Sequence, residues 1–159
     1  MGVKSEALAK KFEAKAQEAT GVLNRLSDAD WKKTATSEKW TVGVVANHFA
    51  GSHETIAGIV QAIALGKPMP SLTMDMLNEM NNKRAKEAAN CTKAETVALH
   101  TKGAAAAAAI IRGLDDAGLD KTATVLQGMP AMSATQFVEG VLIGHIDEHL
   151  GSIKKTVGA

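Results

Sequence analysis

Tyrosine is absent from this 159-residue chain, cysteine occurs once, proline three times, and Phe12, Trp31, Trp40, Phe49 and Phe137 are its only aromatics. The lone Cys91 excludes an internal disulfide and a cysteine-based zinc finger. A net charge of +1 excludes a polyanion binder that works by bulk charge, so no nucleic-acid partner is expected. The longest strictly apolar run, Ala104 to Ile111, falls far short of the roughly 20 residues that span a bilayer. Met1 to Glu6 carries no apolar signal core, and Glu6 stands where a myristoylation motif wants Ser or Thr. These absences predict a cytoplasmic protein with no membrane partner.

What is abundant is alanine, with 28 residues. Alanine favours helices and fills little volume, so the composition suits closely packed helices and argues against a sheet. The length fits a single domain over 1–159. Five stretches read as helix: Lys4 to Leu26, Thr41 to Gly66, Ser71 or Thr73 to Asn90, Thr92 to Gly113, and Ser133 to Lys155. Ser27 with Asp28-Ala29-Asp30 caps a short turn before Trp31, and Lys32 to Lys39 reads as a polar loop. Asp115 to Pro130 reads as a loop with one irregular turn. The fold expected is all-α, a four-helix bundle with an additional helix.

The informative residues are the histidines. At 100° per residue, Val138, Val141, Leu142, His149 and Ser152 all fall within about 60° of His145 on the last helix. The same projection sets His48 among Val44, Val45, Ile56 and Ile59 on the second helix. All three histidines therefore sit centrally on faces that should be buried, whereas His53 falls at the margin of its stripe and is given no role. A buried imidazole without partners costs about 1–3 kcal/mol. Three of them on facing stripes are hard to satisfy by ordinary hydrogen bonds, and one divalent cation satisfies all. The pair at i and i+4 has the spacing by which two histidines of one helix bind one metal.

Two motifs then carry a resemblance. Trp40-Thr41-Val42-Gly43-Val44-Val45-Ala46-Asn47-His48 is similar to the Trp-to-His start of the second helix in DinB-like proteins, also called YfiT or maleylpyruvate-isomerase N-terminal-like bundles. Gly144-His145-Ile146-Asp147-Glu148-His149 resembles that family's C-terminal His-x-x-x-His signature. The resemblance implies a four-helix bundle binding one divalent metal through His48, His145 and His149, and a homodimer.

Three protein ligands leave a place for water or substrate, the arrangement of catalytic sites, and neutral imidazoles suit zinc or nickel. The resemblance implies a metal-dependent transferase, isomerase or hydrolase acting on a small molecule, with metal-bound water or thiolate as the reactive species. A low-molecular-weight thiol such as mycothiol would be its cosubstrate. The alternative is a non-catalytic dimeric helical scaffold or small-ligand-binding module. Glu148 projects toward the same face and either supports the site or meets solvent, while Asp147 points away. Trp40, Met74, Met76 and Met80 read as packing residues, and Asn81, Asn82, Lys83 and Arg84 as a solvated face. Cys91 reads as inert. Gly140, Gly144 and Gly151 form one seam, read as a close approach by a neighbouring helix or a second subunit.

Overall fold

The computed structural model describes residues 2–158. Four long helical rods make the body: α1 (Val3–Arg25), a second rod of α3 (Val42–Ala50) and α4 (His53–Ala64), α6 (Lys93–Arg112), and a last rod ending in α9 (Gly144–Val157). Short helices α2 (Asp28–Trp31) and α7 (Asp116–Leu119) fill the ends, and α5 (Met74–Glu87) is the additional helix. The expected all-α bundle is what forms. Phe12, Val45, Phe49, Val60, Ile111, Leu142, Ile146 and Ile153 meet in its core, all fully buried. The alanine run serves packing, since Ala107 and Ala108 are buried where α6 lies between α1 and α4. Gly103 belongs to the same contact, because a Cβ there would stand 3.3 Å from the Ala50 carbonyl oxygen.

Side-chain caps set the boundaries. Ser27, Thr41, Thr73, Thr92 and Ser133 each accept a backbone N–H of the first turn of α2, α3, α5, α6 and α8 (Ala134–Phe137) respectively. Glu95 and Gln136 return the bond in capping boxes.

Three departures from the sequence expectation matter for the site. The second helix is not continuous. Ser52 Oγ–H donates to the His48 carbonyl at 2.6 Å and Ser52 N–H to Phe49 O at 3.2 Å, tightening the turn and starting a new helix at His53. The last helix is not uniformly α either, because Val138–Ile143 between α8 and α9 is π-helical. Its wider turns shift the register, so a single 100° projection from Ser133 to Lys155 fails upstream of Gly144. Finally, the 115–130 loop holds α7 and the strand β1 (Thr122–Ala123), which pairs antiparallel with β2 (Met132–Ser133), a small ribbon where none was expected. Gln127 N–H donates to Leu72 O at 2.9 Å and ties this loop to the segment before α5.

α5 is the least committed element. None of its residues is buried, and Met74, Met76 and Met80 are 48, 45 and 53% exposed. The packing expectation for these methionines is therefore wrong: α5 lies on the outside of the bundle rather than within it. The glycine seam also differs from one of its readings, since Gly140 and Gly151 are exposed and no atom lies within 4 Å of a Cβ built on Gly151. No neighbouring helix of this chain uses that closeness.

Candidate metal centre

The end of α3 and the first two turns of α9 face one another beneath α5. There the structure brings together the three histidines singled out from sequence. His145 Nε2 stands 3.0 Å from His48 Nε2 and 3.1 Å from His149 Nε2, and all three ligand atoms lie within 4.8 Å of one another. Two nitrogens held at about 2.0–2.1 Å from one ion are about 2.9 Å apart at a right angle and about 3.3 Å apart at the tetrahedral angle. Both spacings from His145 fall in that interval, the separation of two nitrogens on one divalent ion, and the third ring belongs to the same cluster.

Glu38 orders the cluster. His149 Nδ1–H donates to Glu38 Oε2 at 2.7 Å, and Ser152 Oγ–H donates to Glu38 Oε1 at 2.6 Å. A carboxylate only accepts, so the His149 proton is fixed on Nδ1 and the Nε2 lone pair is free to face the shared point. Glu38 is held by its loop: Lys39 N–H closes on Ala35 O at 2.9 Å, Ala35 N–H on Trp40 O at 2.8 Å, and Lys39 takes a φ of 62° to complete the turn. The Nδ1 atoms of His48 and His145 are buried without a partner, so no comparable bond sets those two tautomers. Trp40 meets His48 edge-on with ring centroids 5.3 Å apart, so its packing role falls on a candidate ligand.

Burial lowers the pKa of His48 to about 4, with repulsion from His149 and Arg84 adding and Glu38 opposing. Burial likewise lowers His145 to about 3, with repulsion from its neighbouring histidines and Arg84. Both rings are therefore neutral at pH 7, as metal ligation requires.

Glu148, the acidic residue expected to support the site or meet solvent, is exposed on α9. The carboxylate that does touch a histidine is Glu38, which the sequence reading left in a polar loop. No periodicity reaches a loop, and the only hint was its place two residues before Trp40. Replacing Glu38 by glutamine is expected to weaken metal affinity about 10–100-fold, whereas Glu148→Gln leaves it unchanged, both measured by competition against a chromophoric chelator.

His53 and His100 lie apart from the cluster, yet both are buried to 1% exposure. His100 Nε2–H donates to Ala16 O at 2.9 Å, which leaves Nδ1 to accept from His53 Nε2–H at 2.8 Å. His53 lies in the core at the start of α4, which packs on α6. Cys91 fits its inert reading, since burial raises the thiol pKa and Sγ–H donates to Gly43 O at 3.3 Å.

Beside the cluster opens a cavity of about 320 Å³, with His48 and His145 in its wall. Ile56, Ile59 and Val141, read from periodicity as core, line it instead, and Phe137 and Leu126 continue the apolar surface. From α5 come Leu77, Met80, Asn81 and Arg84. Asn81 and Arg84, read as a solvated face, are therefore cavity residues. The volume lies within the range of small-molecule sites.

With this geometry in view, comparison with known proteins is decisive for the family. A model of the mycothiol maleylpyruvate isomerase N-terminal domain matches residues 12–142. The chain belongs to this family. Among solved structures, that of a mycothiol-dependent maleylpyruvate isomerase is similar to it, with a TM-score of 0.73 at 12% identity over 94% of this chain. At that identity the likeness is one of fold, and it confirms the DinB-like bundle. This chain spans 59% of the length of that relative. No curated protein sequence matches. Among the described residues, no helix of this maleylpyruvate isomerase N-terminal-like chain is long and apolar enough to cross a membrane.

Proposed function

We propose that the chain is a divalent-metal-dependent enzyme of the DinB-like type, a thiol-dependent transferase or isomerase, or a hydrolase, acting on a small molecule. His48, His145 and His149 are its metal ligands, and zinc or nickel its ion. The observation that carries this reading is the approach of three Nε2 atoms to one point, 3.0 and 3.1 Å apart, with Glu38 holding one ring in the ligating tautomer. An all-imidazole donor set suits zinc or nickel, and cobalt, copper and iron share that preference. When bound, such an ion would lower the pKa of a thiol or a water at the site and polarise a substrate carbonyl.

The chain's own residues do the rest. Glu38 and Ser152 fix His149, Trp40 braces His48, and the apolar cavity walls exclude bulk water from the ligands' open side. A low-molecular-weight thiol as cosubstrate is supported by the family and by the mycothiol dependence in the name of the structural relative. The cavity favours this reading over a scaffold, because a scaffold needs no apolar chamber beside its histidines. The proposal includes a cytoplasmic homodimer, supported by the family resemblance and by the exposure of Gly151.

Elemental analysis of protein purified without an affinity tag is expected to give about one metal per chain. Turnover of a panel of electrophilic small molecules is expected only from the metal-containing protein; dependence on added mycothiol or a related thiol marks the transferase or isomerase, and turnover without it the hydrolase. Protein that never retains a metal would remove the reading.

A further inference from the structure

The cavity beside the histidines carries chemical information on what it holds. Its wall is apolar along most of its length, through Ile56, Ile59, Leu77, Leu126, Phe137 and Val141. No acidic residue lines it, and Arg84 is its single permanently charged one. The salt bridges among the described residues engage Arg112 with Glu6 and Glu13 but leave Arg84 without a carboxylate. Glu87 and Glu95 line a separate depression on the other side of Arg84 and do not pair with it. The guanidinium nevertheless stays close to the bundle, packed over Gly51, where a Cβ would collide with Nη2.

A half-buried guanidinium without a counter-ion, facing an apolar chamber, is complementary to one anionic group attached to an apolar body. A ligand with two carboxylates would set one of them against hydrocarbon, where an unpaired charge costs several kcal/mol. A neutral ligand would leave Arg84 unanswered. We propose that the cavity takes an amphipathic monoanion, with its carboxylate or equivalent group on Arg84 and its apolar portion along the α4 and π-helical walls. This inference rests on the site reading above, because it takes the histidine-lined chamber to be where the substrate sits.

The test is calorimetric titration with three probes: octanoate, 1-octanol as the neutral analogue, and maleate as a small dicarboxylate. Each is titrated into the protein as purified and into chelator-treated protein, alongside an Arg84→Gln variant. Octanoate is expected to bind at least about tenfold more tightly than either other probe. Arg84→Gln is expected to lose about tenfold or more for octanoate and to leave 1-octanol within about threefold, so that the preference for the acid disappears. Maleate binding as tightly as octanoate would overturn the proposal, as would a preference for octanoate that survives in Arg84→Gln. Arg84-dependent octanoate binding by protein that holds no metal would uphold this inference while removing the metal reading. Protein with about one metal per chain and no discrimination among the probes would do the reverse.

Discussion

Replacing His149 by alanine is expected to abolish stoichiometric metal binding, and His48→Ala and His145→Ala are expected to do the same. Each change removes one of only three nitrogens, and the affinity lost exceeds the about 10–100-fold that follows from losing a supporting carboxylate. His149→Ala does further harm. Glu38, whose side chain is 9% exposed, would keep only the Ser152 hydroxyl as a partner, and losing a hydrogen bond to a carboxylate destabilises by about 1.5–3 kcal/mol. His149→Gln, which restores a donor near Glu38, separates loss of the ion from loss of the fold. His100→Ala provides the opposite pattern. It breaks the bonds to His53 and Ala16 and opens space in the core, lowering thermal stability, yet the protein should retain about one metal per chain. Elemental analysis beside thermal unfolding reads both outcomes. Equal metal content in the four alanine variants would defeat the ligand assignment.

The second large effect is on stability in mild acid. In the folded chain burial lowers the pKa of His53 to about 3, with repulsion from His100 adding, and lowers His145 to about 3 and His48 to about 4. Burial lowers His100 as well. In the unfolded chain these rings titrate near 6.5. Between about pH 6.5 and 4 the unfolded chain therefore binds protons that the folded chain refuses, so stability is intact above about 6.5 and falls as the pH drops below it. For a ring as buried as His53 the loss at pH 5 is about 2 kcal/mol, and His48, His100 and His145 act in the same direction. Set against a total stability of about 5–15 kcal/mol, this is a large fraction. Urea midpoints of chelator-treated protein should hold level from pH 8 to 7 and fall steeply between 6.5 and 5. In metal-containing protein the fall should be steeper, because protonated imidazole releases the ion. A midpoint level from pH 7 to 5 would show that these rings accept protons without disturbing the fold.

The four rods and the three converging histidines were legible in the sequence, because both depend on the 3.6-residue period and on local caps. Thr41, Thr73, Thr92 and Ser133 all cap where they were expected to. Legibility ended where the period is interrupted. The second rod is interrupted at Ser52, whose N–H turns to Phe49 O, and nothing in its residue type distinguishes it from a serine facing solvent. His53, placed at the margin of a stripe by a continuous projection, opens α4 in the core. The π-helical turn hides in an ordinary apolar run, Val138–Ile143, and changes which residues line the cavity rather than which are apolar. Glu38 was invisible for a different reason. It reaches His149 from 111 positions away through a loop whose course is fixed by the backbone turn at Lys39, and pattern along one helix contains no such information. The methionines of α5 misled because apolar character was equated with burial, although an outlying helix can turn the same side chains toward a cavity and solvent.

The separation of α5 from the core has a consequence for how such a protein can diversify. The three imidazoles are anchored in α3 and α9, rods that also hold the bundle together, and Glu38 in the loop that leads into α3. Arg84, Met80, Asn81 and Leu77 sit on a helix with no buried residue. Substitutions there leave the interior packing untouched, so the wall that α5 gives the cavity can vary through a lineage while the histidines and the packed rods stay as they are.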